Sequence, residues 1–462
     1  MRVIYAAPIL LLLVPAAGAL QCGEEHVLTE RPNGKLACVT DQTADRLGWM
    51  RVQDPGDPAD RVSPDGLSVM HERQPVEAPA LLGIGADARG MTDADARGAA
   101  GNRSFAGDFY AQVSDIQGNI FFSPVSIHTA FSAVYEGAEG DTAAQLRDAF
   151  GLEPDDSARH ASVKLLLESF GGTGPVLEMA SALWLADWIE AKEEYVGAVR
   201  DVYRSDVERI DFVSEGEKRI DAWASDNTRG RITDVTEQDQ FDDLTAAVIT
   251  NVVYFNGSWA ERFSVEDTRT STFWRGASDG VDAEFMNLAA NLDYSERRGA
   301  QVLRLPYEGG GISMVIILPG TRDGITELEQ SVVHDGIPAW TSGMASKEVM
   351  VSLPKFEMGT RYDLVPLLSG LGVLDAFVPS DADFAGIADV AGELYIGGAS
   401  HDAYVRVNEA GTEAAAATVV GMRATSEPPP PEVFTADHPF LFIIQDDGGA
   451  VLFMGRLSDP TA

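Results

Sequence analysis

The sequence predicts an α+β protein. Helical periodicity is concentrated in its first half, apolar β-rich runs in its second, and the two do not alternate as βαβ units would. Between Asn102 and the strand region, residues 161–170 place Val163, Leu165, Leu166, Leu167 and Phe170 at helical spacing. Strands are expected at residues 246–255, 312–318, 348–353, 404–407, 441–444 and 451–454, each an apolar or β-rich run bounded by turn residues. The last two flank Asp446-Asp447-Gly448-Gly449, a turn in which glycine accepts the positive φ that a tight hairpin needs, so the chain is expected to close on a buried hairpin.

At 462 residues and 45% hydrophobic, the chain is long enough and apolar enough for a large core. Its net charge of −38, from 72 acidic against 34 basic side chains, opposes binding to nucleic acid or anionic membrane and favours solubility, with a cationic partner as the lesser reading. Residues 1–19 read as a signal peptide: Arg2 precedes an apolar run from Ile9 to Val14, and Ala17-Gly18-Ala19 follows. A secreted, extracellular protein is therefore expected. That run is too short to span a bilayer, and no later stretch approaches the roughly 18 apolar residues that a transmembrane helix needs. Cys22 and Cys38 are the two cysteines, and an exported pair at this spacing reads as one disulfide. A lipid anchor on Cys22 is the alternative, opposed by the bulky Gln21 beside it. Residues 20–101 then form a small stapled segment with a Pro32-Asn33-Gly34 turn and an Asp-, Pro- and Gly-rich linker, ahead of the main domain at 102–462.

The sequence carries no Gly-x-Ser-x-Gly elbow, no phosphate loop and no His-Glu-x-x-His, and its seven histidines are scattered singly. Asp381, Asp383 and Gly386 open like a calcium loop, but Ala385 and Gly392 stand where further oxygen ligands are required. The sequence thus calls for no catalytic residues, no metal and no cofactor.

One segment is physically odd. Glu409-Ala410-Gly411-Thr412-Glu413 leads into Ala414, Ala415, Ala416 and Ala417, then Thr418 to Ser426 and four prolines. Propensity alone reads it as a helix with a polyproline stop. Between two strand patterns it is too long for an ordinary connection.

The surrounding domain, from about 102 to 460, resembles the serpin family of protease inhibitors. The resemblance rests on Asn119 to Ile127 (NIFFSPVSI), with Tyr135, Gly137, Ala138, Gly140, Thr142 and Gln145 following; on Trp223 with Asn227 to Ile232; and on Asn251 to Trp259 (NVVYFNGSW). Leu305-Pro306-Tyr307, Ser313-Met314, Leu318-Pro319, Leu353-Pro354-Lys355-Phe356, Asp437 to Phe442 and Phe453 to Arg456 complete it in order.

What the resemblance implies is a serpin fold: helices packed on a large central β-sheet, two further sheets and an exposed reactive loop. The implied activity is suicide inhibition of a serine protease, in which the cut loop inserts into the central sheet. Glu409, Gly411, Thr412, Glu413 and Ala414 to Ala417 correspond to the hinge, where small residues suit insertion. The departure there is Ala410, where a second acidic residue is common. Family spacing counted from Glu409 places the scissile bond between Thr425 and Ser426, suiting an elastase-like or subtilisin-like target. A shorter count makes Arg423 the specificity residue and the target trypsin-like. Ser123, Ser126, Asn251 and His401 correspond to a hydrogen-bonded shutter beneath the opening of the sheet, with Asp402 beside it replacing a residue often basic. A monomer is expected. The alternative within the family is a non-inhibitory member acting as a binding, chaperone or storage protein.

Overall fold

The computed structural model describes residues 93–169, 176–238, 240–390, 394–412 and 430–462, together with strands at 26–30, 36–40 and 50–51. It divides into two compact units, Met1–Asp93 and Ala94–Ala462. In the first, strands β1 (His26–Glu30), β2 (Leu36–Thr40) and β3 (Met50–Arg51) make an antiparallel sheet in the order β2-β1-β3. Cys38 sits on β2, opposite Leu28, and Cys22 lies outside the described residues.

The second unit begins within helix α1 (Asp93–Val113), which buries Phe105, Phe109 and Val113 along one stripe with Ala106 and Tyr110 beside it, the i, i+4 spacing of a helix face. Strand β4 (Ile120–Phe122) leads to helix α2 (Pro124–Tyr135). Ser123 caps α2 by accepting from the Ser126 backbone N–H, and proline occupies the first turn, where its missing N–H costs nothing. Residues 124–134 are all buried, and the polar ones among them, Ser126, His128, Thr129 and Ser132, are hydrogen-bonded there. Helices α3 (Gly140–Phe150) and α4 (Asp156–Ser169) follow, and α4 contains the expected helical run up to Ser169.

Then come β5 (Val176–Ala186), α5 (Glu193–Tyr203), β6 (Asp206–Ile210), α6 (Glu217–Asn227), β7 (Ala247–Ser258), β8 (Arg269–Trp274), β9 (Gly280–Arg297), β10 (Ala300–Pro306) and β11 (Ile312–Pro319). The chain continues through α7 (Ile325–Asp335), α8 (Ile337–Thr341), β12 (Ala345–Pro354), β13 (Phe356–Asp363), α9 (Leu364–Gly370), β14 (Ile396–Asn408), β15 (Gly411–Thr412), β16 (Glu432–Thr435), β17 (Phe440–Asp446) and β18 (Val451–Leu457).

These strands form an α+β architecture. One mixed sheet runs β13-β14-β15-β7-β5-β6, with β14 also paired to β7. The other strands of this unit form a nine-stranded sheet, a path of eight, β16-β12-β9-β10-β11-β17-β18-β4, with β8 added on β9. The 18 residues of β9 join its two ends, since Gly280–Phe285 pair with β8, 285–294 with β12 and Asp293–Arg297 with β10. The closing hairpin of β17 and β18 turns through Gly449 at φ +81°, with the Gly449 N–H donating to the Asp446 carbonyl.

Among the described residues, two hydrophobic cores result. One lies under the helices and includes Phe105, Phe109, Phe131, Phe150 and Trp184. The other lies between the sheets and includes Phe121, Phe255, Trp259, Tyr307, Phe442 and Phe453.

Candidate functional site

At the centre of the six-stranded sheet, β7 and β14 run parallel, paired from Ala247 opposite Ile396 to Tyr254 opposite Tyr404. Beyond that row they part, and β15 enters between them. Thr412 pairs with Val407 on one side and Gly257 on the other, and Gly411 pairs with Asn408 and Ser258. The sheet therefore has an opening one strand wide at one end, and two residues already sit in its mouth.

The entry is set by local chemistry. Asn408 Oδ1 accepts from the Ala410 N–H, while Trp259 donates its indole N–H to the Asn408 carbonyl and its backbone N–H to the Ala410 carbonyl. Gly411 has φ +149°, and a Cβ there would lie 2.1 Å from the Gly257 carbonyl oxygen, so only glycine fits. Thr412 is fully buried, its hydroxyl 3.0 Å from the Tyr307 hydroxyl.

Glu409 anchors the approach. Its Oε1 accepts from the Thr268 hydroxyl at 2.7 Å and pairs with Lys355 Nζ at 3.3 Å, and its backbone carbonyl accepts from the Phe263 N–H. Burial works to raise the Glu409 carboxyl, but Thr268, its own backbone and Lys355 together hold it below the ordinary glutamate value. Lys355 is desolvated too, yet Glu284 and Glu409 keep its ammonium above the usual range.

Six rows further into the sheet, His401 faces Asn251 directly. The Ser123 N–H donates to His401 Nε2 at 3.0 Å, which assigns the ring proton to Nδ1, and Nδ1 donates to Asn251 Oδ1 at 2.5 Å. Asn251 Nδ2 then donates to Ser126 Oγ at 2.8 Å and to Ser181 Oγ at 2.7 Å. The Ser123 hydroxyl donates to the Leu452 carbonyl at 2.7 Å and accepts from the Ser126 N–H. Burial lowers His401 to about 3, so the ring is neutral at any ordinary pH and the network holds a single tautomer. Ser123, Ser126, Asn251 and His401 are thus brought together, with the start of α2 and strands β5, β7, β14 and β18 all contributing to the network.

Asp402 follows on the opposite face of β14. Arg361 Nε donates to its Oδ1 at 2.7 Å, while its buried Oδ2 has no hydrogen-bond partner among the described residues. Burial raises this carboxyl to about 6, against the pull of Arg361.

Glu413, Ala414, Ala415, Ala416, Ala417, Arg423, Thr425 and Ser426 lie outside the described residues, as does Cys22. Sequence reasoning missed four participants. Ser181 sits in an alternating run on β5 and reads as an ordinary sheet residue; Thr268 lies in a polar turn; Tyr307 and Lys355 stand inside quoted motifs without an assigned role. Nothing local marks them, because their partners are distant in sequence. Asn102, which opens a glycosylation-type Asn-Arg-Ser triplet, is buried, its amide exchanging hydrogen bonds with both backbone groups of Val451.

A mixed sheet that opens at its centre around the start of a small-residue segment is the architecture of the serpins. The chain belongs to that family: the profile described as Serpin (serine protease inhibitor) matches residues 100–460. It is 38% identical over 368 residues to an uncharacterized serpin-like protein of Thermococcus kodakarensis, covering 77% of this chain and 84% of the relative. It is 34% identical over 375 residues to the human leukocyte elastase inhibitor, covering 78% and 98%. Among solved structures, Serpin48 of the insect Tenebrio molitor superposes with a TM-score of 0.73 at 29% identity, over 80% of this chain and all of that one.

Proposed function

We propose that this chain is an irreversible, suicide-substrate inhibitor of serine endopeptidases, cut between Thr425 and Ser426. The carrying observation is the seated hinge: Gly411 and Thr412 already pair with both β14 and β7 at the mouth of the opening. Continuing that register moves one residue per row. Residue 418 then reaches the row of His401 and Asn251, so a strand of this length splits the shutter pair. The residues that follow Thr412 toward the same face are Ala414, Ala416 and Thr418, small enough to enter a close-packed sheet. Each new main-chain hydrogen bond contributes about 1 kcal/mol net, so a dozen residues supply on the order of 10 kcal/mol to distort a protease held as its acyl-enzyme. The neutral Ala414 to Ala417 argue against a member that only binds or stores.

The preferred target is elastase-like or subtilisin-like, in keeping with the small Ala424-Thr425 pair and with the relative whose name is leukocyte elastase inhibitor. Use of Arg423 would make it trypsin-like. The protein acts as a secreted monomer in this reading, with Cys22 and Cys38 joined. Incubation with elastase, subtilisin and trypsin, followed by denaturing gels and mass spectrometry, tests it. A complex surviving denaturation and a released peptide starting at Ser426 are expected. A peptide starting at Ala424 moves the specificity residue to Arg423, and cleavage without a complex across all three enzymes overturns the trapping mechanism.

A further inference from the structure

Two of the large apolar side chains exposed on the described surface are direct cross-strand partners: Met350 on β12, 50% exposed, and Val433 on β16, 58% exposed. On the other side of β12, Met350 faces Ala289 of β9, also exposed. Directly paired residues point to one face, so Val433, Met350 and Ala289 form an apolar bar across three strands. The row beside it, Thr435, Ser352 and Asn287, is polar and uncharged. On the opposite side Asn291 faces Glu348, which brings the charge. In a chain of net charge −38, an apolar bar with a largely uncharged border has the anatomy of an interface centre and rim.

The position of the bar indicates its occupant. β16 is where the chain re-enters the fold after residues 413–429, and Ser426 precedes Val433 by seven residues, a span of at most about 25 Å. A protease domain of about 200 residues has a radius of gyration of about 16 Å and is roughly 40 Å across. An enzyme seated on the Thr425–Ser426 bond therefore reaches the bar. Pairing with a second copy along the β16 edge is disfavoured, because the Val433 carbonyl already accepts from Gln301 Nε2 at 2.9 Å and Lys347 pairs with Glu432 at the end of the strand.

We infer that the Val433–Met350–Ala289 bar is a docking surface for the target endopeptidase, contacting an apolar rim on the leaving-group side of its substrate cleft. This rests on the inhibitor reading above and deepens it: the bar sets the rate of encounter, while the loop sets the chemistry.

The test measures the second-order rate constant of stable-complex formation with whichever of elastase, subtilisin and trypsin the wild type traps. It compares Met350→Asp, Val433→Asp and the double variant with Leu244→Asp, a change at a 76% exposed apolar residue outside these strands. Thermal melts verify that all variants fold. A fall of tenfold or more is expected for the double variant, with the fraction of encounters ending in complex unchanged and Leu244→Asp unaffected. Equal rates in all variants overturn the docking surface and leave the inhibitor standing. Absence of any complex with wild type overturns both. A wild-type dimer by light scattering that Val433→Asp dissolves reassigns the bar to self-association and overturns the proposal.

Discussion

At Asp402, burial and charge are set against one another. Its carboxyl is raised to about 6 from an ordinary 3.8 by burial, with the Arg361 pair opposing that shift. The sign follows from linkage. Between about pH 4 and 6 the native state holds a proton that the unfolded chain has released, so this group's contribution falls as pH rises through that window and is a penalty above it. Asp402→Asn should therefore stabilise the protein at pH 7.5, by on the order of 2 kcal/mol, and the gain should vanish near pH 4. Chemical denaturation of both proteins at the two pH values measures it. A gain that persists at pH 4 would place the cost in packing rather than ionisation. Ser123, Ser126 and Asn251 were legible because they stand in motifs, and His401 only through the position it holds in the family resemblance. Ser181 was not, since a serine in an alternating strand carries no mark until the fold sets Asn251 against it.

Elements were read where apolar runs coincide with structure, as for β7, β11, β17 and β18. Strand β9 was invisible because it includes Asp282, Glu284, Asn287, Asn291, Asp293 and Glu296, polar residues on faces that its long course leaves in solvent. The hinge shows the opposite failure of local rules. Glu409 to Thr418 favours helix by propensity, yet Gly411 and Thr412 are strand, because two waiting edges offer hydrogen bonds that outweigh a preference of a few tenths of a kcal/mol per residue. That placement makes Thr412 a sensitive position. Thr412→Arg would bury a guanidinium against Tyr307, beside Val407 and Gly257, where no acidic partner is placed among the described contacts of Thr412. The variant should enter the sheet too slowly to trap its protease. Its stoichiometry of inhibition should rise at least severalfold, with intact loop cleavage on denaturing gels, whereas Thr412→Ser should stay near wild type. Equal trapping by the arginine variant would show that this row does not need to fill for inhibition.

For the whole molecule, the fold class and the order of the motifs were legible because a family architecture fixes many separated residues at once. The opening in the sheet was legible only through the family resemblance, because a gap between two parallel strands is a property of their pairing and leaves no local pattern. That gap also predicts how stability should change when the loop is cut. Residues 413–429 connect Thr412 on β15 to Glu432 on β16, and a segment held at both ends is less free to enter the sheet than one cut loose. Cleavage within it releases one end, and a strand of about ten residues can then add roughly 1 kcal/mol of net hydrogen bonding per residue. A gain of on the order of 10 kcal/mol in a domain of this size corresponds to a midpoint rise of at least about 10 °C. Mild cleavage by a protease outside the target class, followed by calorimetry of the purified nicked protein, measures it. The midpoint should rise by that amount in wild type and by much less in Thr412→Arg. An unchanged midpoint in the nicked wild type would mean that the opening between β7 and β14 does not accept the cut strand, and a loop that stays outside the sheet cannot carry a protease with it.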